Sequence, residues 1–186
     1  MTYEELQQGL LNDSIRPYPE FPFYYVSRKG SVYSKTGNKL TPRKNNGSLH
    51  HNYIIMLIEG KQVVRSVGKV VATTFISKVP FENIKGQLFD YVIYLDRNFD
   101  NVCVENLAWR PLWFAQKYHS QFKYDKMLAT PCDLTDISTG ERFSTIREVC
   151  VRYGALADRV FEFVYGRTTD IPIVLWPSQV ELRRNN

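Results

Sequence analysis

Residues 91–109, YVIYLDRNFDNVCVENLAW, constrain the fold more than any other stretch of this chain. An apolar run ending at Leu95 meets a polar turn, DRNFDN, and is followed by ENLAW, which predicts the start of a helix carrying Leu107 and Trp109. The order is strand, loop, strand or extended arm, then helix. Such a unit is too small to bury a core alone, so the rest of the 186 residues must supply one.

Upstream, the pattern is short strands followed by a helix. Residues 3–12 read as a short helix with Leu6 and Leu10 on one side, ended by the segment holding Pro17 and Pro19. FYYVSRKGSVYS predicts a hairpin, Tyr25–Ser27 and Ser31–Ser34 around Gly30. A polar loop, TPRKNNGSLHHN, precedes a second hairpin, YIIMLIEGKQVVR, whose Gly60 suits a positive φ. Ser66 is then placed to cap a helix with Val67, Val70, Val71 and Phe75 in one stripe. Residues 77–90 read as an irregular link.

The segment from 129 onward has its own pattern. TPCDLTDISTGERF predicts two short strands around STGE, and Thr145 with Glu148 has capping-box spacing. A helix through Ile146, Val149, Cys150 and Tyr153 closes at Gly154, and a second carries Ala157, Val160, Phe161 and Val164 before Gly166. Two short helices around a glycine turn fit a helix-turn-helix or an ordinary helical hairpin. DIPIVLWP predicts a closing strand. The expected class is α+β, with an N-terminal segment (1–20), a strand module and ββα-like domain (21–128), and a helix-turn-helix-like domain (129–186).

Charge narrows the partners. Residues 24–70 hold nine Lys or Arg and one acid, Glu59, a local excess of +8 against a chain total of +5. A polyanion would meet this half first, through Lys35, Lys39, Arg43, Lys44, Arg65 and Lys69, with Tyr24 and Tyr33 nearby. The second C-terminal helix, LADRVFEFVY, has Asp158 and Glu162 against Arg159, its one obvious base reader. Its Phe161, Phe163 and Tyr165 suit docking on protein equally well. Three scattered cysteines, Cys103, Cys132 and Cys150, form no C-x-x-C pair and suggest neither disulfides nor zinc. His50, His51 and His119 lack a companion at ligand spacing. The start, MTYEELQQGLLND, is unlike a secretory signal, and no apolar run approaches the roughly 20 residues that cross a bilayer, so neither export nor a membrane partner is expected.

Together these pieces resemble the phage HNH homing endonucleases. That family carries Y-x-V-S-x-x-G-x-V-Y-S, here YYVSRKGSVYS at 24–34; V-H-R-L-V-A-x-x-F, here VGKVVATTF at 67–75; and V-(D or N)-H-x-D-G-N-x-x-N-N-x-x-x-N-L-x-W, here residues 92–109 without a gap. TGERFSTIREVCVRYG is similar to the family's DNA-binding tail. The resemblance implies a divalent-metal nuclease, but its chemistry falls on unsuitable side chains: the catalytic histidine on Tyr94, its metal-binding neighbour on Ile93, the upstream helix histidine on Gly68. Asp96, Asn98, Asn101, Asn106, Leu107 and Trp109 survive as a frame.

A phenol with an ordinary pKa near 10 is only about 0.1% ionised at neutral pH, so Tyr94 is a poor base. An alkyl group cannot hold a cation, and one neutral amide, Asn106, cannot retain magnesium. Asp96 and Asp100 are the carboxylates that a rearranged site would have to use. The expectation is therefore a non-enzymatic, cofactor-free and metal-free scaffold, kept as a binding or assembly component in a host cytoplasm or virion, in an oligomeric or complexed state with other phage proteins. The alternatives are a nuclease-dead duplex-DNA-binding protein and, behind it, an active nuclease with a rearranged metal site.

Overall fold

The computed structural model describes residues 2–44, 52–77, 89–123, 125–167 and 182–185. Its architecture is α+β, built from short helices and small antiparallel sheets. His50, His51 and the strand expected from DIPIVLWP lie outside the described residues. Among the described residues no helix is long and apolar enough to cross a membrane. The chain forms two compact units: Met1–Lys78 with Asn98–Trp109, and Val79–Arg97 with Arg110–Asn186.

The first unit opens with α1 (Tyr3–Leu11), started by a reciprocal cap. The Glu5 amide donates to Thr2 Oγ1 (3.1 Å) and the Thr2 amide donates to the Glu5 carboxylate (2.7 Å). Instead of an irregular proline segment, β1 (Ile15–Tyr18) follows and pairs with β2 (Phe21–Ser27). Pro17 is tolerated because β1 is an edge strand in the order β1-β2-β3, where a missing N–H costs no ladder bond. Next to β2 lies β3 (Val32–Tyr33).

The predicted polar loop begins with a two-residue strand, β4 (Arg43–Lys44), on the edge of a second sheet with β5 (Asn52–Ile58) and β6 (Lys61–Ser66). Glu59 and Gly60, with φ of 50° and 78°, make the two-residue turn between β5 and β6, as the E-G-K pattern implied. Helix α2 (Val67–Phe75) buries Val67, Val70 and Val71, while Ser66 makes no side-chain cap. Val26, Val32, Ile54 and Met56 complete this unit's core, each removed from water to a gain of about 1.5–3 kcal/mol.

The stretch that constrained the fold contains β7 (Tyr91–Tyr94), a 3-10 turn (Val104–Asn106) and β8 (Leu107–Arg110). Leu107 and Trp109 thus stand on a strand, not on the expected helix. Pro111 explains the difference: it disfavours helical geometry at the residue before it, so α3 starts at Leu112 and runs to Gln121.

In the second unit, α3 and a short α4 (Asp125–Leu128) precede β9 (Pro131–Asp136) and β10 (Arg142–Thr145). Then come α5 (Ile146–Tyr153), α6 (Ala157–Val164) and β11 (Leu182–Arg184), with sheet order β10-β9-β11. Thr145 caps α5 by accepting from the Glu148 amide (3.3 Å), but the Glu148 carboxylate reaches Ser144, one residue further back than a capping box requires. Gly154, at φ 62°, ends α5 in the left-handed conformation. A Cβ there would come within 3.0 Å of Leu95 and Arg110, so the position also needs a small residue.

Candidate functional site

Within the second unit, Ile93 is 0% and Tyr94 1% exposed. Both belong to the core against which α3 packs, with Phe114 and Tyr118 stacked beside them on that helix. The Tyr94 amide donates to His119 Nε2 across 3.4 Å, and the Tyr118 hydroxyl lies 2.7 Å from the Leu95 carbonyl and 3.1 Å from that of Cys150. Burial, above all, pushes the Tyr118 phenol far up. His119 is thereby a hydrogen-bond acceptor for strand backbone. Arg110 is also buried, donating to the Tyr153 carbonyl (3.1 Å) above the Phe114 ring, and burial pulls its guanidinium down to about 10.

Arg97 adopts φ 61°, a conformation that favours glycine, and its amide donates to the Tyr94 carbonyl (3.0 Å). In the family pattern quoted above a glycine falls on this position. The turn at Arg97 therefore has a backbone shape that glycine adopts without strain.

In the first unit, the frame asparagines hold a turn. The Asp100 amide donates to Asn98 Oδ1 (3.0 Å), the Asn101 amide to the Asn98 carbonyl (3.0 Å), and Asn106 Nδ2 to the Asn101 carbonyl (2.7 Å). Trp109 Nε1 donates to the Ile76 carbonyl (3.1 Å), beyond the end of α2. Gly68 is buried on α2 and offers no functional group.

Neither Ile93 nor Tyr94, the positions on which the resemblance places the metal chemistry, offers an accessible ligand. Ile93 is an alkyl group in a core, and the Asp100 carboxylate already accepts from Lys44 Nζ and Asn52 Nδ2, each at 2.9 Å. Those two hydrogen bonds lower its pKa. Lys44 supplies there the positive charge that a cation would bring. Among the described residues no group of three or more His, Cys, Asp or Glu is placed to hold a metal.

The cations singled out as phosphate contacts divide into two sets. Lys44 is tied to Asp100, and Arg65 donates to Glu20 (3.2 Å) with its guanidinium over the Phe21 ring. Lys35, Lys39, Arg43 and Lys69 are exposed and form no ion pair among the described residues. Arg159 on α6 is bound to Glu162 (3.0 Å), and the α6 end carries Phe161 and Tyr165 in contact at a tilt of 37°, ring centroids 4.4 Å apart, with Tyr165 54% exposed. Gln121, a residue the sequence did not single out, serves as the α6 cap: its Oε1 accepts from the Ala157 amide (2.9 Å).

No family model matches the chain, and no curated protein matches it. Among solved structures, it is similar to the HNH homing endonuclease I-HmuI, from work on that enzyme's DNA binding and cleavage, with a TM-score of 0.44 and 18% identity over 92% of this chain and 97% of that one. At that superposition no residue-by-residue correspondence follows.

Proposed function

We propose that this chain is a catalytically inactive HNH-like protein best described by what it binds: a component of a phage assembly or virion that acts through its surfaces.

 The observation that carries this reading is the burial of Ile93 and Tyr94. The two positions where the resemblance puts metal ligand and base are core side chains, so neither presents a lone pair to a phosphodiester. The engagement of Asp100 by Lys44 and Asn52 supports it from the other unit, because a rearranged site would first have to displace that lysine.

Docking on protein is favoured at α6, where the single arginine is tied to Glu162 and an aromatic pair is left at the surface. A second reading, a nuclease-dead protein that binds duplex DNA, draws on the uncompensated Lys35, Lys39, Arg43 and Lys69. Relaxation of supercoiled plasmid at neutral pH with magnesium or manganese tests the main claim. No nicking is expected; nicking that disappears in Asp96→Ala would end it. Sedimentation of the native protein separates the two binding readings: an oligomer or particle supports assembly, whereas a monomer with nanomolar duplex affinity supports the second.

A further inference from the structure

The outer face of the first sheet carries a row of aromatic side chains beside its lysines. Val26 and Val32 are paired across β2 and β3 and point into the core, at 0% and 1% exposure. Their neighbours Tyr25 and Tyr33, also a cross-strand pair, therefore point the other way. Pro17 on β1 faces Tyr25, and Tyr33 bridges to Lys39. The chain turns back after β3 and lays 38–40 alongside it, the Leu40 amide donating to the Val32 carbonyl (2.8 Å) and the Ser34 amide to that of Asn38 (2.9 Å). One outward row thus reads Pro17, Tyr25, Tyr33, Lys39.

At one end of this face, β2 departs from regular pairing with β1 and presents Phe23, 64% exposed, with Lys35 Nζ 5.7 Å from its ring centroid. Tyr24 turns inward instead: its hydroxyl donates to the Leu57 carbonyl (3.0 Å) and accepts from the Leu57 amide (2.8 Å), which anchors the segment.

The charges around this face are sorted. Arg16, Arg28, Lys44 and Arg65 each hold a carboxylate, on Asp13, Glu105, Asp100 and Glu20 respectively. Lys29, Lys35 and Lys39 form no ion pair among the described residues. The row itself contains no acid; Glu59 stands across a cleft of about 620 Å³ from Phe23 and limits the positive track on that side.

We infer that this face, with Phe23, Tyr25 and Tyr33 between Lys35 and Lys39, binds single-stranded nucleic acid by stacking unpaired bases on the rings. Rings lying on a sheet and bordered by loose lysines suit a strand whose bases are free to stack and whose phosphates are near. Duplex DNA keeps its base faces stacked inside and offers a sheet only phosphates and base edges, neither of which uses the flat of a ring. Pro22, Leu57 and Ile58 border Phe23 on its cleft side, whereas Lys35 and Lys39 border the rings along the row, which is the side a phosphate backbone would follow. The inference extends the binding reading but stands on this sheet alone: plasmid nicking would end the inactive-nuclease proposal and leave this one intact.

Fluorescence anisotropy of the full chain with labelled oligothymidine, and with a duplex of equal length, tests it. Single strands bind about tenfold or more tighter than duplex, and Tyr25→Ala with Tyr33→Ala lowers single-strand affinity by roughly ten- to a hundredfold. Tyr25→Phe with Tyr33→Phe retains the affinity, since the ring and not the hydroxyl is used. Phe23→Ala, at an exposed position, lowers it without disturbing the melting transition, which covers the case of a poorly folded double variant. Duplex binding equal to or tighter than single-strand binding, unchanged affinity in the alanine variants, or no nucleic-acid binding at all, as a protein-docking face would give, overturns the inference.

Discussion

The first sheet's outer face and the α5–α6 pair both combine aromatic rings with basic residues, and both leave some cations beside rings, Arg167 over Phe161 among them, but their ion pairs differ in reach. Around the sheet, arginines reach carboxylates far along the chain, Arg28 to Glu105 and Arg65 to Glu20, and the lysines beside the rings are left over. Around α5 and α6 the pairs are local: Arg152 to Glu141 at 2.7 Å and Arg159 to Glu162 at 3.0 Å. Even the ring hydroxyl of Tyr153 is committed, to Asp136 at 2.5 Å. Net charge in a window of sequence therefore says less about a polyanion than which cations remain unmatched after folding. Exposed pairs of this kind add at most about 1 kcal/mol each to stability; their larger effect is on what the surface offers a partner.

The sharpest break would come from the core between chemistry and surface. Ile93→Asp puts a carboxylate into the core, where the nearby Arg110 guanidinium offsets only part of its desolvation, and a loss of about 2–4 kcal/mol in urea unfolding is expected. A variant that instead stayed as stable as the parent and bound manganese would show the position to be an open site.

Asp136 ranks next. Burial alone would raise its carboxyl, but hydrogen bonds from Ser138, Tyr153 and Thr139 outweigh that and hold it down to about 2. Because the folded pKa lies below the usual carboxylate value, its contribution is present above about pH 4 and is lost as pH falls through about 2. Asp136→Asn should cost about 2 kcal/mol near neutrality. The gap between parent and variant should close on acidification, and a gap that is flat with pH would contradict the assignment.

A smaller effect is expected at the turn of the frame. Arg97→Gly relieves a left-handed side-chain conformation and should raise stability by about 0.5–1 kcal/mol after the greater freedom of glycine in the unfolded chain is counted. A lower melting temperature would mean that the arginine side chain holds the turn. The smallest changes sharpen the contrast directly: Lys39→Ala should reduce the salt dependence of single-strand binding by about 0.7 of a logarithmic slope unit, while Arg159→Ala leaves it unaltered. Equal effects from the two would place nucleic acid on both surfaces.

How much was legible varies with the range of the forces involved. The Glu59–Gly60 turn, the Thr145 start and Gly154 end of α5, and the apolar stripe of α2 all follow from neighbours within a few residues, and all are present. The strand at Ile15–Tyr18 was hidden because Pro17 reads as a breaker until an edge position excuses it. The pattern at Leu107 and Trp109 suits a helix locally, but Pro111, two residues on, keeps them extended in β8. Ser66 shows that a cap-type residue at the right position need not make the bond.

By itself the sequence determined which functional groups exist: an alkyl group and a phenol at 93 and 94, an acid-poor stretch at 24–70, and an α+β succession of short elements. Only the tertiary structure decided that Ile93 and Tyr94 face a core, and which cations are matched. The ion pairs that settle this join residues 77, 56 and 45 positions apart, Arg28–Glu105, Lys44–Asp100 and Arg65–Glu20. Local patterning reaches a turn or two along the chain, whereas a Coulomb contact acts through space once the fold has closed the distance.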